Sequence, residues 1–147
     1  MGDGIIDGVI LTPLKIIATP GGDVLRAMKH SDNGYSGFGE AYFSTVEPSA
    51  IKGWKRHKEM TLNLVVPVGK IRFVVYDDRE SSVSKNQFQE VILSRANYCR
   101  LTVPPMVWLG FQSQSTIVSY LLNIASIEHV PDESDKKLLD EISYDWE

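Results

Sequence analysis

A single histidine flanked by cations is the feature of this chain best suited to acid–base chemistry. His57 lies within the run Trp54-Lys55-Arg56-His57-Lys58-Glu59. A neutral imidazole can take a proton near pH 7, and neighbouring cations can hold a phosphate or stabilise the negative charge left when a proton leaves carbon. Two interpretations stay open from these residues alone, a general base at the mouth of a binding site or a solvated charged loop ahead of a strand.

The alternation of side chains along the following strand extends this hypothesis. If the strand around Thr61 reaches back to the histidine, every second residue faces the same side. That face would carry His57, Glu59, Thr61 and Asn63, with leucines on the other face. A polar inner face is costly unless it binds something, so the pattern favours a ligand site.

The other histidines contribute less to the hypothesis. His129 follows an apolar strand and is a possible site residue, whereas His30 precedes a polar turn and is expected at the surface. The chain has no H-x-H pair of the kind a cupin metal centre uses, so we expect no metal. Cys99, the single cysteine, is expected to be structural rather than nucleophilic.

An aromatic bend completes the candidate site. Val103 to Phe111 reads VPPMVWLGF, in which two prolines fix a bend and Trp108 lies close to a glycine that allows close approach of a ligand. Core packing would explain Trp108 or Phe111 taken singly, whereas both of them around a Pro–Gly bend favour a binding role. Neither a phosphate-binding glycine loop nor a nucleophile elbow is present in the sequence.

Composition limits the class of protein. The 147 residues predict one domain spanning 1–147, and 43% hydrophobic with 23% charged residues is ordinary for a soluble globular protein. The net charge of −4 argues against a nucleic-acid partner. Because no apolar run is long enough to span a bilayer and the amino terminus carries two aspartates, we expect a cytoplasmic protein without a membrane partner.

The elements that must position these residues are mostly strands. Short β-rich segments recur about every ten residues between turn signals, which predicts an all-β sandwich or barrel such as a jelly roll. Val68–Gly69 is interpreted as a hairpin turn, Gly22–Met28 as a possible turn, and Asp132–Glu141 as a short helix after Pro131. The apolar amino-terminal segment could add a strand to a second copy, so we expect a homodimer.

Several segments resemble, in the same order, motifs of the dTDP-4-dehydrorhamnose 3,5-epimerase family. The resemblance covers nearly the whole chain. The matching segments are Asp23 to Arg26 with Glu40-Ala41-Tyr42-Phe43, Trp54 to Glu59, Val66 to Asp77, Val103 to Phe111, and Glu141 to Trp146.

This resemblance implies a dimeric, cupin-like jelly roll that acts without a metal or organic cofactor. His57 would be the base that removes protons from carbons beside the 4-keto group of a nucleotide-linked 6-deoxysugar, with dTDP the favoured nucleotide. Cations would lie near the phosphates or the enolate, and asparagines would line the sugar pocket. The expected substrate-binding residues are Arg26, Glu40, Lys55, Arg56, Glu59, Asn63, Arg72, Trp108, Asn123 and His129.

The chain also departs from the family pattern. Asn123 stands where the family has the tyrosine that returns a proton, and Leu109 replaces a histidine. Either Lys52 or Arg56 can replace the motif arginine only with a shifted register. The carboxylate that orients the family histidine follows the final tryptophan, so here Glu59 or an acid within 132–135 would have to replace it.

These departures indicate reaction at one carbon, or isomerisation of a keto-sugar, rather than double epimerisation, in surface-polysaccharide biosynthesis. Two alternatives stay open. The protein could be a non-catalytic sugar-nucleotide binding protein or structural partner that has lost the catalytic acid, or it could catalyse another cupin reaction, such as that of a lyase or a metal enzyme.

Overall fold

Antiparallel strands dominate the structure, a computed structural model that describes residues 5–147, so the first four residues of the apolar amino-terminal segment lie outside it. The predicted all-β class is confirmed. The strands of the described residues are β1 (Ile10–Pro13), β2 (Ile16–Thr19), β3 (Gly22–Leu25), β4 (Glu40–Val46), β5 (Ile51–His57), β6 (Leu62–Val68), β7 (Lys70–Tyr76), β8 (Phe88–Ser94), β9 (Cys99–Val103), β10 (Trp108–Ser113), β11 (Ser119–Ala125) and β12 (Ser134–Lys136).

Two five-stranded sheets enclose the main core. Sheet 1 has the order β1-β9-β6-β11-β4, and sheet 2 has the order β12-β5-β10-β7-β8. Their inner faces supply an almost wholly apolar cluster that includes Leu64, Phe73, Leu101 and Leu121. The short pair β2–β3 forms a separate two-stranded sheet. The predicted turn over Gly22–Met28 is wrong, because residues 22–25 form strand β3 and residues 26–28 form no turn.

The chain changes sheet at the Val68–Gly69 corner, and the predicted hairpin there is wrong. Strand β6 belongs to sheet 1, whereas β7 belongs to sheet 2. Gly69 has a positive φ of 93°, and a Cβ at this position would lie 2.1 Å from the Ser119 hydroxyl oxygen. The turn at Gly69 was therefore correctly predicted, but it connects the two sheets at an edge of the sandwich instead of joining two paired strands. Residues 94–97, whose position between two strand-like segments also suggests a hairpin loop, likewise join strands of different sheets, β8 and β9.

A second apolar cluster lies on the outer face of sheet 2. Trp54, Val74 and Trp108 are buried there under Ile142 of the carboxyl-terminal segment. Trp146 packs on Trp54 with ring centroids 5.5 Å apart. Because both faces of sheet 2 are covered at β7, this strand is buried on both sides, as its near-continuous apolar run requires.

The helix predicted over Asp132–Glu141 is wrong. Two single 3₁₀ turns, Pro131–Glu133 and Leu139–Glu141, flank strand β12, which pairs with β5. The proline and the acids do start a turn, as predicted. Strand pairing then competes successfully for the backbone groups, since Trp54 and Lys137 exchange two backbone hydrogen bonds of 3.0 Å.

Within residues 5–147, no helix has the length and apolar character needed to cross a membrane.

Candidate active site

A histidine–carboxylate pair forms the centre of the candidate site. His57 ends β5, and Glu133 ends the 3₁₀ turn that leads into the neighbouring strand β12. The His57 Nδ1 lies 2.6 Å from the Glu133 Oε1, and both side chains are largely buried. Glu133 belongs to residues 132–135, the acidic stretch proposed from the sequence as a source of the carboxylate that orients His57.

The ionisation of Glu133 fixes the tautomer of the histidine. Burial acts to raise the pKa of Glu133, but hydrogen bonds from His57 and from the backbone N–H groups of Glu59 and Met60 outweigh it and hold the pKa below its usual value. An ionised carboxylate can only accept, so Nδ1 must carry the proton. The neutral ring then has its lone pair on Nε2, which makes no hydrogen bond with any residue from 5 to 147.

A cavity of about 520 Å³ opens beside this ring between the two sheets. His57 lines it, and most of the other lining residues are apolar. An apolar cavity with some polar groups is typical of small-molecule sites. The apolar lining residues are Trp54, Met60, Leu62, Leu64, Val103, Pro104, Val107, Leu109, Phe111, Leu121 and Leu138.

The cavity lining includes two lysines of β5, one at the end of β12 and one directly after it. Lys52, Lys55, Lys136 and Lys137 all line the cavity, together with Glu141. An excess of cations around an otherwise apolar cavity favours an anionic ligand such as a diphosphate.

A bulge explains how two of these lysines reach the same face. Lys55 pairs with Leu109 and Lys52 with Phe111, so Gly53 and one further residue of β5 lie opposite a single residue of β10. Residues three apart on a regular strand face opposite sides, whereas the extra residue of a bulge restores the alignment. The bulge therefore allows Lys52, one of the two candidates to replace the motif arginine, to line the cavity together with Lys55.

The single polar face predicted from His57 through Asn63 is wrong. Strand β5 ends at His57 in sheet 2, and β6 begins at Leu62 in sheet 1. Leu62 and Leu64 therefore line the cavity. Asn63 faces away from it, donating to the Gly34 carbonyl at 3.0 Å and accepting from the Thr102 hydroxyl.

Three predicted substrate-binding residues lie on the outer face of sheet 2 instead of in the cavity. Arg56 pairs with Asp135 at 2.7 Å and covers the Trp108 ring at 4.7 Å. Trp108 itself is 2% exposed within the second apolar cluster. Arg72 pairs with Glu90 and lies over a carboxyl-terminal tryptophan ring. All three side chains make ion pairs or ring contacts within the protein, on the face of sheet 2 that points away from the cavity.

Four further candidates also lie outside the cavity lining. Arg26 is exposed, and so is Glu59, whose backbone N–H donates to Glu133 at 2.9 Å. Glu40 accepts a hydrogen bond from the backbone N–H of His129 at 2.9 Å, beside a shallow surface depression. Among residues 5–147, no three side chains of the metal-ligating types are grouped to hold an ion.

Asn123 lines the cavity, and it lies next to a tyrosine to which the sequence analysis gave no role. Asn123 is paired directly with Tyr42 of β4, and both side chains contribute to the lining, as does Ser44. Strand parity was the available signal, because residues 40, 42 and 44 share one face of β4. The sequence-based interpretation used Tyr42 only as a motif match and gave it no role.

Comparison with known proteins identifies the class. A dTDP-sugar isomerase from Desulfovibrio desulfuricans is 39% identical in sequence, with a TM-score of 0.90 over 92% of this chain and 87% of that one. The chain therefore belongs to the dTDP-sugar isomerase family, and the expected resemblance to dTDP-4-dehydrorhamnose 3,5-epimerases and the expected jelly roll are confirmed. No family model matches the sequence.

Two curated relatives are proteins of glycan biosynthesis. A probable low-salt glycan biosynthesis epimerase, Agl13 of Haloferax volcanii, is 30% identical over 98 residues, a match that spans 63% of this chain and 62% of that protein. The spore coat polysaccharide biosynthesis protein SpsL of Bacillus subtilis is 24% identical over 145 residues, covering 96% of both chains.

Proposed function

We propose that this protein is a sugar-nucleotide epimerase or isomerase acting on a nucleotide-linked 4-keto-6-deoxysugar in polysaccharide biosynthesis. The observation that carries the proposal is the His57–Glu133 pair beside a cavity whose lining includes four lysines. The name of the Desulfovibrio relative favours dTDP as the nucleotide. The non-catalytic alternative is not favoured, because a binding protein has no need of a histidine held as a base.

The reaction begins with proton abstraction beside the ketone. The Nε2 lone pair of His57 takes the proton, and the electrons of the broken C–H bond move through the carbonyl carbon to its oxygen. The resulting enolate is an oxyanion, which a lysine ammonium such as that of Lys55 or Lys52 can stabilise. Glu133 stabilises the imidazolium that forms. A base positioned in this way contributes about 10²–10⁴-fold to the rate.

The lysines also explain recognition of the nucleotide. A sugar nucleotide carries a diphosphate between its sugar and nucleoside parts. If the sugar ring fills the apolar part of the cavity beside His57, the diphosphate can lie near Lys136 and Lys137, which also line the cavity. The sugar would then meet the base while its charged group stays near cations and solvent.

We expect the protein to work as a cytoplasmic homodimer. Strand β4 is an edge of sheet 1, and its outward Phe43 is 64% exposed. Tyr120 on the adjacent strand is 44% exposed, and Phe38, two residues before β4, is 62% exposed. Large apolar side chains gathered at a sheet edge are typical of an interface. A second copy of the chain is the proposed partner.

Solvent deuterium tests the reaction. The wild type is incubated with dTDP-4-keto-6-deoxyglucose in D₂O, and the sugar is examined by NMR for deuterium beside the ketone. We expect incorporation by the wild type and by His30→Gln, which changes an exposed histidine. His57→Gln should lose it by at least about 10²-fold. Absence of deuterium in the wild-type reaction, with other nucleotide-linked keto-sugars equally inert, would refute the proposal.

A further inference from the structure

Inversion at carbon requires a second group that the histidine cannot supply. Loss of a proton beside a ketone gives a planar enolate, and the base that removed the proton can return it only to the same face. An inverted centre needs a donor on the opposite face. The amide of Asn123 is not an acid at neutral pH, so the donor must lie elsewhere.

The two sheets define the two faces of the cavity. His57 ends β5 in sheet 2, whereas the opposite wall is built from β4, β6, β9 and β11 of sheet 1. The other titratable groups of the lining are four lysines and Glu141, all on β5 or in the segment from 136 to 141. These lie on the same side as the histidine.

Tyr42 is the titratable side chain that the sheet 1 wall contributes to the cavity among residues 5–147. Its hydroxyl makes no hydrogen bond to another described residue, so its proton is not committed to a protein acceptor. The Asn123 amide donates to the Tyr42 carbonyl at 3.4 Å and to the Ser44 hydroxyl at 3.1 Å, which ties β4 to β11 at this position. The backbone that carries the phenol is thereby fixed.

The phenol also has the protonation state that a donor needs. Burial, assisted by the charge of Glu40, raises the pKa of Tyr42 above its usual value. The hydroxyl is therefore fully protonated at neutral pH. An enolate carbon is a strong enough base to take a proton from a phenol.

We propose that Tyr42 is the catalytic acid that protonates the enolate from the sheet 1 side, in a step that rests on the proposed function. The O–H bond of Tyr42 breaks as a new C–H bond forms on the face opposite His57, and the enolate electrons return to that carbon. The products are an inverted centre, a phenolate and an imidazolium. Exchange of one proton between these two groups through water restores the enzyme.

Two phenylalanine variants test the assignment. Tyr42→Phe removes the proton and keeps the ring, while Tyr35→Phe is the matched control at a half-buried tyrosine outside the cavity lining. Both are assayed in D₂O with the nucleotide-linked keto-sugar, measuring deuterium in the substrate and formation of the epimer separately. For Tyr42→Phe we expect continued deuterium exchange with retained configuration, and epimer formation lowered at least about 10²-fold. Tyr35→Phe should match the wild type.

The other outcomes separate the two proposals. Epimer formation by Tyr42→Phe at the wild-type rate overturns the role of Tyr42 and leaves the proposed function intact. Loss of both exchange and epimer in Tyr42→Phe also overturns the acid role, since the residue would then act in binding or folding. A wild type that exchanges deuterium without inverting a centre also overturns the role of Tyr42, because no proton is then delivered to the opposite face. A wild type that does not exchange at all overturns both proposals.

Discussion

Replacing Glu133 by glutamine should disable the base without emptying the site. Glu133 uses Oε2 to accept from the backbone N–H groups of Glu59 and Met60, at 2.9 and 2.8 Å, and Oε1 to accept from His57. A glutamine carbonyl can keep both backbone bonds only in the Oε2 position. Its NH₂ group then faces the His57 Nδ1.

That arrangement reverses the tautomer of the histidine. With a donor opposite it, Nδ1 must accept, so the single proton of the neutral ring moves to Nε2. The lone pair needed for abstraction is no longer on Nε2. We expect deuterium exchange to fall by about 10²–10⁴-fold, equivalent to about 3–5 kcal/mol of barrier. Because two charge-assisted bonds become neutral ones, stability should fall by about 2 kcal/mol.

The matched control is Asp132→Asn, which removes the same charge from an exposed neighbour. Deuterium exchange measures activity, and ¹⁵N NMR of the His57 ring measures the tautomer without any substrate. We expect the proton on Nδ1 in the wild type and in Asp132→Asn, and on Nε2 in Glu133→Gln. If the glutamine variant exchanges deuterium as fast as Asp132→Asn, or keeps its proton on Nδ1, the reasoning fails.

Two further predictions concern stability and assembly. Asp77 is fully buried and its pKa is held below the ordinary value of 3.8, because hydrogen bonds from Arg79 and from Ser84 outweigh burial. The stabilisation by ionised Asp77 is complete above pH 3.8 and is lost as the pH falls through the lower pKa of the folded state. Asp77→Asn should therefore lower the free energy of unfolding, measured in urea, by about 3–5 kcal/mol at pH 7 and by less at pH 3. A loss of stability that is the same at both pH values would contradict this. Phe43→Asp should weaken the proposed homodimer by at least about 30-fold in light scattering, while Val83→Asp, at a 95% exposed position, should not; a monomeric wild type would contradict the assembly.

The strands were predictable because their signal is local. Segments such as β6 and β7 combine β-branched residues with apolar runs, and Gly69 marks the break between them. Their pairing was not predictable, because a tight turn between two strands is compatible with a hairpin and with a corner. What decides is burial on both faces, which depends on strands more than thirty residues away, such as β10 beside β7.

The helix expected over Asp132–Glu141 failed for a similar reason. A proline and first-turn acids favour helix initiation, and a 3₁₀ turn does form there. Propagation requires each backbone group to bond within the helix, whereas β5 offers an open edge to the same groups. Pairing with that edge brings Glu133 beside His57, so the departure from local propensity builds the site.

The site residues divide along the same line. His57 was proposed because its neighbours in sequence are unusual, and Asn123 because it stands where the family has a tyrosine; both line the cavity. Arg72 and Trp108 were assigned to the site by their type, but strand parity turns both to the outer face, where a carboxyl-terminal segment covers them. Tyr42 was given no role from the sequence, because its place beside Asn123 in the cavity comes from a contact between distant strands.

The proposed position of the proton donor on β4, instead of β11, has a consequence for the reaction. Adjacent strands lie about 4.8 Å apart, so a tyrosine on β4 approaches the sugar from a point displaced by about that distance from one at position 123. The two carbons that flank a ketone are closer together than this. With the base fixed at His57 and the donor displaced by one strand, one of the two carbons can lie between them in a single substrate orientation. The proposed role of Tyr42 therefore predicts inversion of one centre rather than double epimerisation.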